Sequence, residues 1–244
     1  MKGVFVSDEH HPYQDEGARK VALEIVRNFA PDLIITGSDG LDFYSLSSFD
    51  KNPDRLKTGL QEEIDSWKAA MREWKSAAPR AKLRWIIGNH EDRLRRYMWR
   101  NPQLYEISAL SLPNLLGLSE FGITDDGSEI QIHNLVIRHG SIVRRGSGQS
   151  VRAEIERERY AVSVLSGHTH RGGSVLFTTR NGIIQGQEAF CLCKTEAEYV
   201  DRPDWQQGIV LFEVDERGLT FEPVPIMKFR CRNRAVWREK EYIS

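Results

Sequence analysis

Five short polar motifs, each directly after an apolar run typical of a β-strand, constrain the fold more than any other feature of the sequence. They are Asp8-Glu9-His10, Gly37-Ser38-Asp39-Gly40-Leu41-Asp42, Gly88-Asn89-His90-Glu91, His139-Gly140 and Gly167-His168-Thr169-His170. In an open α/β sheet, ligands bind in the crevice beyond the carboxyl ends of the strands. The order of the motifs therefore predicts an α/β sheet that brings all five together at one edge.

The first hundred residues contain two strand–helix–strand patterns. Short apolar runs at residues 2–7, 32–36 and 82–87 predict buried strands, and helical spacing of apolar residues predicts helices over 17–29 and 55–77. A strand, a helix and a strand within about thirty residues form a right-handed unit with parallel strands. We therefore expect a parallel sheet in this half of the chain.

The second half is dominated by strands. A basic helix over residues 92–99 and a helix over about 150–160 are predicted, and Asn181-Gly182 is a good hairpin turn. The predicted strands cover residues 129–132, 135–139, 161–166, 174–179, 183–186, 209–214 and 219–224. Because no Pro/Gly/Ser linker separates the halves, we predict one α/β domain over residues 1–244, with two sheets packed face to face and a basic C-terminal extension at about 226–244.

Composition narrows the class of protein. The chain has 244 residues, of which 40% are hydrophobic and 28% charged, and this is enough for one sizeable core. A net charge of -1 excludes a generically polycationic nucleic-acid binder. No apolar run approaches the ~20 residues that span a bilayer. With no signal-peptide pattern and an odd number of cysteines, we expect a cytoplasmic protein without a membrane partner.

Charge is distributed unevenly along the sequence. Residues 8–65 carry thirteen acidic and six basic side chains, which favours cation binding. Residues 80–100 carry seven basic and two acidic side chains, and residues 226–240 carry six and one. These two segments could meet an anionic substrate, although a basic run is more often a solvated face.

Some metal-ligand residue types lie outside the motifs. Cys191 and Cys193 could bind a metal as a pair of thiolates, but alternating positions on a short strand explain them better, because no second Cys or His pair has zinc-site spacing. His11 and His133 fit no motif and are predicted to be structural. The imidazole, carboxylate and amide donors of the motifs suit Mn, Fe or Zn better than Ca.

The ordered motifs resemble the calcineurin-like metallophosphoesterase superfamily, whose pattern is Asp-x-His, Gly-Asp-x-x-Asp, Gly-Asn-His-Asp/Glu, His and Gly-His-x-His. Residues 88–93, 111–118 and 205–208 look most like the versions found in phage and prophage genomes. The resemblance implies an α/β/β/α sandwich with two divalent ions (Mn, Fe, Zn or Ni, with Mn favoured). By position, it assigns the first ion to Asp8, His10 and His170, the second to Asn89, His139 and His168, and a bridging role to Asp39.

The resemblance also implies a mechanism. A metal-bridging hydroxide would attack the phosphorus in line, His90 would protonate the leaving oxygen, and Asp42 would orient the His90 ring. Glu91 is more consistent with a supporting carboxylate than with a ligand. The chain departs from the pattern at Ser38, where the family has glycine, so either the tight turn tolerates a side chain or the loop is displaced.

Substrate contacts are predicted from arginines and aromatic residues near the motifs. Arg93 follows the His90 turn, and Arg144 and Arg145 precede a glycine-rich loop before a helix, an arrangement suited to phosphate. Tyr44 could stack on a base or pack in the interior, as could Phe43, with packing favoured. The protein-phosphatase branch of the superfamily has Arg-Gly where this chain has Phe43-Tyr44.

These features predict a metal-dependent phosphodiesterase that acts on DNA, RNA or nucleotides. The first alternative is a phosphomonoesterase that acts on proteins or nucleotides. The second alternative is a non-catalytic scaffold that uses the fold to bind a partner. Loss of His90 or of several ligands would mark that class, and all of them are present.

Overall fold

Thirteen β-strands form two sheets in the computed structural model, which describes residues 1–196 and 202–244. The strands in these parts of the chain are β1 (Lys2–Phe5), β2 (Leu33–Gly37), β3 (Lys82–Ile86), β4 (Ile123–Asp125), β5 (Glu129–Ile132), β6 (Leu135–Arg138), β7 (Ser163–Ser166), β8 (Ser174–Thr179), β9 (Gly182–Glu188), β10 (Gln207–Asp215), β11 (Gly218–Phe229), β12 (Arg232–Trp237) and β13 (Lys240–Ile243). The helices are α1 (Glu16–Phe29), α2 (Leu60–Ala77), α3 (Asp92–Arg100), α4 (Pro102–Tyr105), α5 (Leu112–Leu116) and α6 (Gln149–Arg157).

Both sheets are mixed. The larger sheet has the order β13-β12-β11-β10-β1-β2-β3-β4, in which β1 to β4 are parallel and β10 to β13 are joined antiparallel. The smaller sheet has the order β5-β6-β7-β9-β8, with β6, β7 and β9 parallel and an antiparallel strand at each edge. The predicted parallel units form the run β1-β2-β3 of the larger sheet, whereas the parallel strands in the middle of the smaller sheet were not predicted as such.

The helices that join the parallel strands are amphipathic. In α1, Val21, Ile25 and Phe29 lie on one buried face, and the Asp15 carboxylate caps the first turn by accepting a hydrogen bond from Ala18 N (2.9 Å). The second helix begins at Leu60 and not at residue 55, because residues 55–57 form a separate 3₁₀ turn and Gly59 is extended. The pattern had merged the turn with the helix.

One apolar layer fills the space between the sheets. Phe5, Ile35 and Ile86 of the larger sheet pack in the same cluster as Ile137 and Leu165 of the smaller sheet. Helices α1 and α2 pack on the other face of the larger sheet, and α6 covers the outer face of the smaller one. The predicted α/β fold of two face-to-face sheets with helices outside is therefore confirmed.

Residues 226–244, expected to be an extension, lie within the larger sheet. They form the end of β11 and the two strands β12 and β13, with Ala235, Trp237 and Tyr242 buried and charged side chains facing outward. The Trp237 ring packs against Phe29 of α1 at a centroid distance of 6.0 Å. Exposed and buried positions alternate along β12, but one buried residue is Asn233 and one exposed residue is Val236, so the excess of basic residues concealed the strand pattern.

Within residues 1–196 and 202–244, none of the helices combines the length and the apolar character needed to cross a bilayer.

Candidate metal centre

The five sequence motifs meet at one edge of the sandwich. Three of them follow the adjacent parallel strands β1, β2 and β3, and the other two follow β6 and β7 of the facing sheet. The chain turns sharply where it leaves these strands, because Asp8, Ser38, Asp39, His168 and His170 all have positive φ angles between 52° and 73°. Non-glycine residues in this conformation cluster at functional sites.

A first group of donor atoms comes from Asp8, His10 and His170. His170 Nε2 lies 3.1 Å from Asp8 Oδ1 and 3.1 Å from His10 Nε2, and His10 Nε2 lies 3.7 Å from Asp8 Oδ1. All three side chains are buried, and Asp8 Oδ1 has no hydrogen-bond partner in the described chain. A buried carboxylate oxygen that faces two imidazole nitrogens is a suitable ligand for a cation.

A second group surrounds Nε2 of His139. This atom lies 2.8 Å from Asn89 Oδ1, 2.9 Å from His168 Nδ1 and 3.2 Å from Asp39 Oδ2. The four donors combine imidazole nitrogen, amide oxygen and carboxylate oxygen, a set that divalent transition metals accept. The structure therefore brings together the residues predicted to hold the second ion.

Asp39 lies between the two groups. Its carboxylate is close enough to His139 and His168 to form one candidate metal-binding cluster, and close enough to His10 and His90 to form another. Burial by itself would raise the pKa of Asp39, but the His139 and His90 rings lower this pKa below its usual range. The position and charge of Asp39 are those of a carboxylate able to bridge two cations.

Neighbouring acidic groups raise the pKa of two of the candidate histidine ligands. Burial would lower the pKa of His139, but the neighbouring Asp39 raises it to about 9. The pKa of His170 also rises to about 9 against the effect of burial, through Cys193 and Asp8. Because the lone pairs that take up these protons are the ones a metal would use, protons would compete with a divalent cation for these histidines.

Glu91 holds the backbone of two motifs in place beside the candidate ligands. Its carboxylate is fully buried and accepts hydrogen bonds from the backbone N–H groups of Gly88 (2.8 Å), Asp39 (3.1 Å) and Leu41 (3.1 Å). Glu91 therefore ties the second and third motifs together. Burial and the nearby Asp39 charge raise the pKa of Glu91 to about 7.

His90 and Asp42 form a pair beside the metal-binding groups. Asp42 Oδ1 lies 2.8 Å from His90 Nδ1, and the same oxygen lies 3.3 Å from His10 Nδ1. Burial would raise the pKa of Asp42, but hydrogen bonds from His10 and His90 lower it well below its usual range. Burial lowers the pKa of His90 itself. One carboxylate thus orients two imidazoles from different motifs.

Arg93 lies in the site, where Nη2 is 2.9 Å from His90 Nε2 and Nη1 donates to the Asp42 carbonyl oxygen at 2.7 Å. Arg55, which was not predicted, donates to Asp42 Oδ2 at 2.8 Å. Its guanidinium lies between the rings of Tyr13 (4.2 Å) and Tyr44 (4.1 Å). Tyr44 therefore packs on Arg55. Arg55 was missed because its segment was assigned to a regular helix.

The other predicted substrate contacts are differently placed. Arg144 and Arg145 are exposed, and the amides that begin α6 at Gly148 and Ser150 donate to the buried carboxylate of Glu188 (2.9 and 3.2 Å). The helix N-terminus that was expected to suit phosphate is thus already occupied by a carboxylate. A distant glutamate that caps a helix leaves no local pattern in the sequence.

The residues assigned a structural role differ in their distance from the centre. Phe43 is buried, and the His11 ring is 2.9 Å from Ser66 Oγ, while His133 is exposed at the turn between β5 and β6. Cys193 Sγ, however, lies 3.7 Å from His170 Nδ1, so this thiol contacts a candidate ligand. That contact joins residues of different strands and could not be seen in the spacing of the cysteines.

Comparisons with known proteins agree with this architecture. No family model matches the chain. The chain is similar to the Gene 54 protein of Mycobacterium phage L5, with 25% identity over 255 residues that cover 92% of this chain and 93% of the relative. The Gene 54 protein of Mycobacterium phage D29 is 26% identical with the same coverage.

Two solved structures of Vps29 cover the whole chain. The Vps29 of Chaetomium thermophilum superposes with a TM-score of 0.51 at 10% identity and is covered to 96%. A Vps29 single mutant from Entamoeba histolytica gives a TM-score of 0.47 at 12% identity and is covered to 97%. The chain therefore shares the two-sheet α/β fold of Vps29, and phage proteins are among its sequence relatives.

Proposed function

We propose that this chain is a two-metal-dependent phosphoesterase that hydrolyses phosphodiesters of nucleic acids or nucleotides. The observation that carries the proposal is the convergence of seven predicted ligands into two groups that share Asp39, with His90 and Arg93 at their side. The fold alone does not carry it, because one fold can host unrelated functions.

The donor sets fit two divalent cations, and Asp8 Oδ1 is a buried carboxylate oxygen without a hydrogen bond in the described chain, as is suitable for an atom that would hold a cation. Asp8, His10 and His170 would hold the first cation, and Asn89, His139 and His168 the second, with Asp39 shared. Bound cations would supply a water of lowered pKa and positive charge beside the phosphoryl oxygens.

The remaining residues would act on the substrate directly. Asp42 holds the Nδ1 side of the His90 ring, so Nε2 is the atom that faces the substrate. This nitrogen accepts a hydrogen bond from Arg93 Nη2 at 2.9 Å, so Arg93 would have to exchange that contact for a phosphoryl oxygen before a protonated Nε2 donates to the leaving oxygen. This arrangement supports ester hydrolysis in which His90 acts as the acid and Arg93 orients the substrate.

A basic hairpin outside the metal-binding groups supports a polymeric substrate. The hairpin between β11 and β12 exposes Phe229 (61%), Lys228, Arg230 and Arg232, and the Arg230 guanidinium lies over the Phe229 ring at 5.3 Å. None of these three bases has a carboxylate partner within residues 1–196 and 202–244. Unpaired cations beside an exposed aromatic ring suit the phosphates and bases of single-stranded nucleic acid.

This hairpin lies at the same end of the larger sheet as the candidate centre. Gln206 N donates to the His170 carbonyl oxygen at 2.7 Å, and the next residue, Gln207, accepts a hydrogen bond from Asn233 Nδ2 at 3.1 Å. Asn233 follows Arg232 in β12. A single strand of nucleic acid bound on the hairpin could therefore continue toward the metal-binding groups.

The test compares bis-p-nitrophenyl phosphate with p-nitrophenyl phosphate under matched conditions, with Mn, Zn, Ni or Mg added in turn. We expect metal-dependent hydrolysis, with faster turnover of the diester and loss of both activities in Asp39→Asn. Faster turnover of the monoester would instead identify a phosphomonoesterase. Absence of both activities in protein with two bound metals per chain would identify a non-catalytic scaffold.

A further inference from the structure

Ser38, the residue that departs from the metallophosphoesterase pattern, uses its hydroxyl group inside the candidate centre. Ser38 Oγ lies 2.9 Å from His139 Nδ1 and 2.9 Å from Ser7 Oγ. Ser7 Oγ in turn hydrogen-bonds to Asp8 Oδ2. Ser7 and Ser38 are both buried, so two hydroxyl groups connect a candidate ligand of the first ion with a candidate ligand of the second.

The direction of these hydrogen bonds follows from the chemistry at each end. An ionised carboxylate only accepts, so Ser7 donates to Asp8 and its oxygen accepts from Ser38. The Ser38 oxygen can then accept from His139 if Nδ1 carries the ring proton. In this arrangement His139 Nε2, the atom among Asn89, His168 and Asp39, keeps its lone pair for a cation.

The same chain orients the carboxylate at its other end. Asp8 Oδ2 accepts from Ser7 and from the backbone N–H of His168 (3.0 Å), which leaves Oδ1 directed at His10 and His170. Each end of the hydroxyl chain therefore turns one ligand atom toward its own group.

The surroundings leave space for two hydroxyl groups. A side chain at Gly167 would place its Cβ 2.0 Å from Ser7 Oγ and 3.0 Å from Ser38 Oγ, so glycine is required beside them. Ser38 itself has a φ of 52°, a conformation that a glycine would adopt with less strain. The chain thus retains a strained serine where its hydroxyl group has two partners.

We propose that Ser7 and Ser38 are positioning residues that fix the Nδ1–H form of His139 and the orientation of Asp8, so that the binding of the two ions depends on one hydroxyl chain. This inference rests on the two-metal centre of the proposed function, but it concerns metal affinity and not hydrolysis. The affinity for the second ion should therefore depend on a residue that contacts no ion.

The test is calorimetric titration of metal-free protein with Mn²⁺ for Ser38→Ala, Ser38→Gly and the exposed control Ser45→Ala. Both Ser38 variants lose the hydroxyl group, but only glycine also relieves the backbone. We expect both variants to lower the affinity for the second ion by about 10–100-fold, the usual loss when a partner of a metal-bound histidine is removed. In both variants the affinity for the first ion should change by less than about threefold, and so should both affinities of the control, because these substitutions remove no partner of the ligands concerned.

Ser7→Ala cuts the chain at its other end and should weaken binding of the first ion as well. Because the serines act in one chain, the double variant Ser7→Ala/Ser38→Ala should lose less affinity than the sum of the two single losses. Additive losses would contradict the coupling.

Two outcomes would overturn the inference. In the first, both Ser38 variants bind two ions with the affinity of the unmodified protein. In the second, Ser38→Ala loses affinity and Ser38→Gly restores it, which would assign the effect to backbone strain. Protein that binds both ions, shows the expected losses and hydrolyses neither reporter would instead contradict the proposed function and leave the hydroxyl chain supported.

Discussion

Asp42 Oδ1 lies 2.8 Å from His90 Nδ1 and 3.3 Å from His10 Nδ1. The carboxylate therefore serves two histidines with different proposed tasks, because His10 belongs to the first metal-binding group, whereas His90, although it also lies near Asp39, is proposed as the acid. Substitutions at His90 and at Asp42 should consequently have different effects on metal binding.

His90→Asn should leave metal content nearly unchanged and lower turnover by about 10²–10⁴-fold, the usual range for a positioned acid. The loss should be smaller for substrates with a nitrophenolate leaving group, because that group departs without protonation. Steady-state rates over a series of leaving groups, together with metal analysis, check this prediction. Loss of one ion with equal damage for good and poor leaving groups would show that His90 is a ligand or a structural residue.

Asp42→Asn should show the same leaving-group dependence in milder form and should also weaken binding of the first ion, because the amide orients His10 less strongly than the carboxylate does. Titration of metal-free protein with Mn²⁺ measures this second effect. Asp50→Asn, an exposed carboxylate of the same loop, is the matched control. Unchanged affinity for the first ion would mean that the contact between Asp42 and His10 has no role in metal binding.

Asp39→Asn should impair binding of both ions, because Asp39 is shared by the two groups of donors. Protein purified without chelator and saturated with metal should contain close to two transition ions per chain, and the variant should contain markedly fewer. Elemental analysis with protein quantification provides the measurement. A saturated stoichiometry of one in the unmodified protein would contradict the two-metal centre.

Glu63 should make the protein less stable as pH rises. Its buried carboxyl group accepts a hydrogen bond from Phe43 N (2.6 Å). Burial and the Asp42 charge raise the pKa of Glu63 from 4.5 to about 8, against the Phe43 hydrogen bond and the charges of Arg93 and Arg55. Between pH 4.5 and about pH 8 the folded chain keeps a proton on Glu63 that the unfolded chain releases. The contribution of Glu63 to the free energy of unfolding is therefore complete below pH 4.5 and is lost as the pH rises to about 8.

Glu63→Gln should remove this dependence, which has a limiting slope of about 1.4 kcal/mol per pH unit, while its amide oxygen can still accept from Phe43. Urea unfolding between pH 5 and pH 8 at constant metal content measures the free energy of unfolding. Glu106→Gln, at an exposed position, controls for the loss of a carboxylate. Parallel pH profiles for Glu63→Gln and the unmodified protein would show that Glu63 ionises normally.

Charge reversal on the hairpin should separate polymeric from small substrates. Arg230→Glu with Arg232→Glu should weaken binding of a single-stranded oligonucleotide and reduce its salt dependence by about one unit of slope per lost phosphate contact. Hydrolysis of bis-p-nitrophenyl phosphate should not change. Arg180→Glu, in the turn between β8 and β9, is the control. Equal oligonucleotide binding by the double variant and the control would point to a small nucleotide as substrate.

Sequence patterns were sufficient for the elements that depend on neighbouring residues. The repeat of Val21, Ile25 and Phe29 predicted α1, and the apolar runs predicted β1, β2 and β3 to within about two residues, the usual variation in assigned boundaries. The order of the motifs after these strands was enough to gather the metal-ligand candidates at one edge, because parallel strands share the direction of their carboxyl ends.

Tertiary structure decided which partners those residues have. The hydrogen bonds of Ser38 to His139, of Arg55 to Asp42 and of the α6 amides to Glu188 join positions 101, 13 and about 40 residues apart. Hydropathy and spacing report which face of an element is buried, but not which side chain from another strand completes a hydrogen bond there. The sequence by itself thus determined the fold class and the set of candidate ligands, whereas the packing of the two sheets decided how those ligands are oriented and what supports them.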